Sequence, residues 1–252
     1  MINKDLIIQR FSKSLTTYND EAIIQKKIIC KLTEYIKALK LDNHYDNVLE
    51  IGCGTGLLTE KIGELFSPKN LFLNDICDDV KNYLNNNIFN KIDNVKFVMG
   101  DAENIEFSQQ MDVVISTSTI QWFENLEKFL YKCHNIISEN GILILTTFGT
   151  EHFKEFRNII GSDNLKYYNI NELKQLLKKD FNIQLIKEEK YTLYFDSPYD
   201  VLIHCKKTGV NAYKQRMWLK NDIFNFIKSY NYKFNNKFFL TYHPIFIIAK
   251  KR

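Results

Sequence analysis

Residues 48–56, Val-Leu-Glu-Ile-Gly-Cys-Gly-Thr-Gly, place an acid and three glycines where a short apolar run ends. Glycine tolerates positive φ and leaves bare backbone against which a ligand can press. A dinucleotide fingerprint would read G-x-G-x-x-G, but the last position here is Leu57, and no lysine followed by serine or threonine completes a phosphate loop. Asp75 closes the next apolar run, and a carboxylate there can accept both hydroxyl hydrogens of a ribose, as it does in dinucleotide proteins. Asp101 follows the third run, in Gly100-Asp101-Ala102-Glu103. Each acid alone could cap the helix that follows it. Glu50, Asp75 and Asp101 in register with a glycine loop on successive strands argue instead for one ligand site. No Ser-His-Asp or Cys-His set accompanies them. The histidines lack ligand spacing, and Cys30, Cys53, Cys77, Cys133 and Cys205 are odd in number and scattered, so no metal site is expected. Reduced thiols in a cytoplasmic protein are the plain reading.

The elements that must position these groups alternate in period. Apolar spacing predicts an amphipathic helix over residues 19–40, then strands at 47–51, 71–73, 95–99, 113–116 and 141–148. Helices are predicted between them at 57–66, 79–89 and 126–137. Such alternation implies a doubly wound, mostly parallel α/β sheet, with ligands bound beyond the carboxyl ends of its strands. Past residue 150 the alternation loosens. Helices are expected at 151–160, 171–179 and 213–229, a long strand at 183–195, and a final hairpin or strand at 238–249. Ser197-Pro198 reads as a capped helix start. The chain is expected to form a single domain, 1–252, with a helical arm at 1–40 and cap-like insertions at 151–168 and 197–235.

Net charge is a mild +4 with no basic stripe, which argues against nucleic acid while suiting an acidic protein partner. The charged N-terminus is unlike a signal peptide, and no apolar stretch has the length of a membrane span.

The E-x-G-x-G-x-G arrangement resembles the first motif of class I S-adenosylmethionine-dependent methyltransferases. The resemblance implies a seven-stranded Rossmann-like sheet and S-adenosylmethionine as cofactor. It places Glu50, Gly52, Cys53, Gly54 and Gly56 around the methionine and ribose, with Asp75 and Ile76 at the ribose. Asp101 and Ala102 fall at the adenine, and Ser116 at the end of the fourth strand. That strand end, Ser116-Thr117-Ser118-Thr119-Ile120-Gln121-Trp122-Phe123, contains no proline and so lacks the N/D-P-P-Y/F motif of amino-methylating nucleic-acid enzymes.

Its Ser-x-x-x-x-Gln-Trp pattern is similar to that of malonyl-acyl carrier protein O-methyltransferases of biotin synthesis. Three further segments share the likeness: Arg10-Phe11 with Tyr18 and Gln25, Thr146 to Gly149 with Phe153 and Phe156, and Ser197-Pro198 with Lys206 to Ala212. This implies an acceptor that is the free carboxylate of malonyl on acyl carrier protein, or of malonyl-coenzyme A. Tyr18, as a lid, with Gln121, Trp122 and Arg157, would be the catalytic set. A carboxylate is ionised near neutral pH and needs no general base. Placement and water exclusion would then carry the rate. Arg10, Arg157, His204, Lys206 and Lys207 are candidate cations for the substrate carboxylate, and Lys206, Lys207 and Lys214 for carrier docking. Other readings are a methyltransferase for a small carboxylate such as trans-aconitate, or a non-catalytic S-adenosylmethionine-binding partner protein. A dehydrogenase is disfavoured by Leu57.

Overall fold

The computed structural model describes residues 2–87, 94–161, 165–208 and 218–252. Two helices lead the chain, α1 (Lys4–Glu21) and α2 (Ile23–Ala38). The side chain of Asn3 caps α1 by accepting from the Leu6 N–H at 2.9 Å. The strand–helix alternation follows with β1 (Asn47–Ile51), α3 (Leu57–Phe66), β2 (Asn70–Asn74), α4 (Asp79–Asn87), β3 (Val95–Phe97) and β4 (Met111–Ser116). A 3-10 turn at Ile120–Trp122 leads to α5 (Leu126–Ile136) and β5 (Ile137–Phe148). The remainder is α6 (Lys154–Ile160), α7 (Ile170–Leu177), β6 (Phe181–Glu188), β7 (Tyr191–Tyr194), α8 (Pro198–Lys207), α9 (Lys220–Phe234), β8 (Phe239–Tyr242) and β9 (Pro244–Lys251).

Seven strands form one sheet in the order β3-β2-β1-β4-β5-β9-β6, parallel except for β9, which runs antiparallel to both neighbours. Both faces are covered, so side chains alternate between two cores. Val48, Val113 and Ile115 pack with α2 and α3, while Leu49, Ile51 and Val114 pack with α5 and α7. The chain winds outward from β1 in one direction through β2 and β3, and in the other through β4 and β5. That reversal opens a crevice at the carboxyl ends of β1 and β4.

Several boundaries differ from expectation. The helix predicted from residue 19 begins at Lys4 and breaks at Ala22, so residues 19–21 end α1 and α2 starts afresh. The predicted strand 183–195 is two strands with different partners: β6 joins the main sheet, and β7 pairs with β8 in a separate two-stranded sheet. For the same reason 238–249 is neither a hairpin nor one strand, since β8 and β9 belong to different sheets. α9 runs to Phe234, past the expected end at 229. The start of that predicted helix, the last residues of the helix predicted at 79–89, Lys214 and the Gly209–Ala212 segment lie outside the described residues. Ser197 caps α8 as expected, accepting from the Asp200 N–H at 3.2 Å with Pro198 in the first turn. No described helix is long and apolar enough to cross a membrane.

Candidate active site

A cleft of about 1000 Å³ opens at the carboxyl ends of β1, β2 and β4. Its roof is α1, which turns Lys4, Ile7, Ile8, Phe11 and Tyr18 toward it, a spacing that places them on one helix face. Phe11 and Tyr18 meet edge to face, ring centroids 5.4 Å apart. Polar contacts tie the roof down along its length. Lys4 Nζ donates to Asp101 Oδ2 at 2.6 Å and to Glu103, Ser12 donates to Asp79, and Thr55 Oγ1 donates to Asn19 Oδ1 at 2.6 Å.

The floor is the glycine loop. Gly52 has φ +71°, and a Cβ there would fall 2.1 Å from Thr119 Oγ1, so the loop after β4 packs directly on bare backbone. Gly54 has φ +50°, and its Cβ would stand 3.2 Å from the Phe11 ring, in the space between floor and roof. The N–H groups of Gly52 and Cys53 donate to the Asn74 carbonyl at 2.8 and 2.9 Å, binding the loop to the end of β2.

Three buried or half-buried acids lie on this floor. Glu50, 1% exposed, accepts from Thr59 Oγ1 at 2.6 Å. Burial pushes its carboxyl up to about 8, the Thr59 hydrogen bond opposes this, and the Asp75 charge adds to it. The oxygens of Asp75 accept the N–H groups of Cys77 and Gly54, each at 2.9 Å. Burial raises this acid to about 6 against the pull of those donors. Both oxygens retain a lone pair for a further donor. Asp101 accepts from Lys4, from Asn104 Nδ2 at 2.7 Å and from the Glu103 N–H at 3.1 Å.

Of the residues singled out in the sequence, the cleft brings together Tyr18, Glu50, Gly52, Cys53, Gly54, Asp75, Ile76, Asp101, Ala102 and Trp122. Gly56, Ser116, Gln121 and Arg157 are not among its lining. Gly56, at φ +82°, starts α3. Ser116 Oγ donates to the Ile51 carbonyl at 2.8 Å and locks the ends of β4 and β1 together. Gln121 Nε2 donates to the Ser118 carbonyl at 2.6 Å, supporting a residue held at φ +51°. The Arg157 guanidinium lies 4.6 Å over the Tyr167 ring and donates to the carbonyls of His152 and Thr150. His204 is buried with Nε2 2.6 Å from the Tyr242 hydroxyl, and Lys207 donates to Glu21 at 2.6 Å.

Lys4, Phe11, Gln25, Thr55 and Thr119 also shape the site; Phe11, Gln25 and Thr119 stand in segments that carry the family resemblance, but the sequence alone assigns no role to any of the five. A signal for the first two existed: Ile7, Ile8, Phe11 and Tyr18 share one face once the helix is started at residue 4. Among the described residues no cluster of histidine, cysteine, aspartate and glutamate could hold a metal ion.

The lining fits S-adenosylmethionine. Asp75 and Asp101 offer acceptors to a ribose and an adenine amino group, and the gap over Gly54 is one that a side chain would fill. Residues 49–145 match a methyltransferase domain family. The fold is similar to that of YcgJ from Bacillus subtilis, with a TM-score of 0.62 at 15% identity over 88% of this chain and 97% of that one. It is also similar to Haemonchus contortus phosphoethanolamine N-methyltransferase 2 in complex with S-adenosyl-L-methionine. There the TM-score is 0.60 at 16% identity, over 95% of this chain and 57% of that one. Fold, glycine loop and domain match define a class I S-adenosylmethionine-dependent methyltransferase.

Within that class the similarity runs from end to end for one group of enzymes. The chain is 34% identical to a malonyl-[acyl-carrier protein] O-methyltransferase of Bacteroides helcogenes over all of both chains. It is 36% identical to that of Haemophilus influenzae, over 99% of this chain and 95% of the relative. The chain belongs to the malonyl-[acyl-carrier protein] O-methyltransferase family.

Proposed function

We propose that this enzyme methylates the free carboxylate of malonyl carried on acyl carrier protein, with malonyl-coenzyme A as a simpler surrogate. It would act in the cytoplasm and feed the pimeloyl branch of biotin synthesis. The end-to-end match to enzymes of that name carries the reading.

Bound S-adenosylmethionine supplies an electrophilic methyl group, which an ionised carboxylate can take without a general base. The work left to the protein is holding, aligning and drying the reactants. Asp75 and Asp101 hold the nucleoside. Phe11 and Tyr18 on the roof exclude water, and Trp122 with Thr117 and Thr119 forms the wall below them. Among the described residues the cation in the lining is Lys4, which Asp101 and Glu103 already engage. The acceptor carboxylate would therefore be positioned by neutral donors such as the Tyr18 hydroxyl, which leaves its charge available to the methyl carbon. For the carrier, exposed Lys206 on α8 is the better docking candidate, because Lys207 is paired with Glu21.

Release of S-adenosylhomocysteine, measured with malonyl-acyl carrier protein, malonyl-coenzyme A and trans-aconitate in turn, tests the assignment. Turnover is expected to be highest with the carrier-borne substrate. Preference for the free tricarboxylate would overturn it.

A further inference from the structure

Gln25 stands in the first turn of α2, 5% exposed, with a buried Oε1 that has no hydrogen-bond partner. The residue lines the cleft with Tyr18, Thr55 and Leu58. A buried carbonyl oxygen left unpaired is unfavourable, so its presence beside a ligand cavity points to a donor brought by the ligand.

The position of α1 says which part of the cofactor that is. Lys4, near its start, meets Asp101, and Asn19, near its end, meets Thr55. Those residues are separated by about 22 Å along a helix rising 1.5 Å per residue. The roof thus runs the length of the cleft, from the adenine acid past the ribose acid to the glycine loop. Gln25 lies just beyond the far end. With the adenine at Asp101 and the ribose at Asp75, the amino-acid end of the cofactor falls at the glycine loop. That end carries an ammonium group, with donors and no acceptor of its own.

We propose that Gln25 Oε1 accepts a hydrogen bond from the α-ammonium of S-adenosylmethionine, making Gln25 a positioning residue that fixes the sulfonium by its amino-acid arm. The inference rests on the cofactor and is independent of the methyl acceptor.

Calorimetric titration of the full chain with S-adenosylhomocysteine and with 5′-methylthioadenosine, which lacks the amino-acid arm, tests it. Gln25→Leu is expected to weaken S-adenosylhomocysteine about tenfold or more, the scale of a hydrogen bond to a charged group, and to leave methylthioadenosine unchanged. Gln25→Glu, which keeps the acceptor, is expected to hold S-adenosylhomocysteine within about threefold of the parent. Equal weakening of both ligands by Gln25→Leu, or none of either, would overturn the proposal. Loss of S-adenosylhomocysteine by Gln25→Glu as well would mean that the amide nitrogen faces the α-carboxylate, and would overturn the ammonium assignment.

Discussion

Lys4 Nζ lies 2.6 Å from Asp101 Oδ2, across 97 residues of sequence, and donates to Glu103 as well. Glu103 in turn accepts the backbone N–H groups of Glu124 and Asn125, at 3.1 and 2.9 Å. One pair of carboxylates therefore fastens the roof helix, the loop after β3 and the start of α5. With the adenine placed at Asp101, as proposed, roof and cofactor would share that acid, and entry and exit of the cofactor would be coupled to this latch. Replacing Lys4 by methionine is expected to speed cofactor dissociation about fivefold, in keeping with roughly 1 kcal/mol for a partly exposed ion pair. Raising salt should move the parent in the same direction. Stopped-flow fluorescence would measure both. An unchanged dissociation rate at low salt would mean that the latch does not hold the roof.

With the ribose placed at Asp75, as proposed, the pH dependence of cofactor binding should follow from that acid. Burial raises its carboxyl from an ordinary 3.8 to about 6. Below that value the empty site holds a proton, whereas two ribose hydroxyls are best accepted by the ionised form. Binding then requires the proton to leave, and the dissociation constant for S-adenosylhomocysteine should rise about tenfold per pH unit below about 6. Above it the constant should be flat. Asp75→Asn should bind more weakly at neutral pH and lose the acidic limb. A flat profile in the parent would show that the buried acid is not titrating.

Stability of the cofactor-free protein should carry the signature of Glu50. Its carboxyl is raised from 4.5 to about 8 by burial. Between those values the folded state holds a proton that the unfolded chain has released. The associated stability is fully present below 4.5 and is lost as pH rises through 8, with a slope of at most about 1.4 kcal/mol per pH unit. Asp75 adds to the same trend between 3.8 and about 6. Glu50→Gln removes the titration while leaving an oxygen for Thr59. Its unfolding free energy should fall less steeply than the parent's across pH 6–8, by denaturant titration. Parallel slopes would contradict a protonated Glu50.

How much was legible in the sequence depended on where the information resides. The run Val48–Ile51 is buried end to end because both faces of the sheet are covered, and such strands read as continuous apolar runs. α3 at Leu57–Phe66 followed from its spacing after the glycine turn. Glu50, Asp75 and Asp101 were legible as acids at strand ends. The start of α1 was not: its fully buried residues are Ser14 and Leu15, while Ile7, Ile8 and Phe11 face the cleft and are half-buried. Nor could alternation reveal that the stretch beyond Ile183 changes sheets near Glu189, because partner choice is a tertiary matter. Lys4 escaped for the same reason, its partners being set by how the leading helix lies over the sheet, and Gln25, although part of the N-terminal likeness, gave no sign of its place in the cleft.

The central claim, a malonyl carboxylate as methyl acceptor, is tested most directly by intact-protein mass spectrometry of acyl carrier protein incubated with the enzyme and S-adenosylmethionine. The malonyl-loaded carrier should gain the mass of one methyl in place of a hydrogen, while the unloaded and acetyl-loaded carriers stay unchanged. An unaltered malonyl carrier under conditions of proven cofactor binding, or equal methylation of the acetyl form, would contradict it.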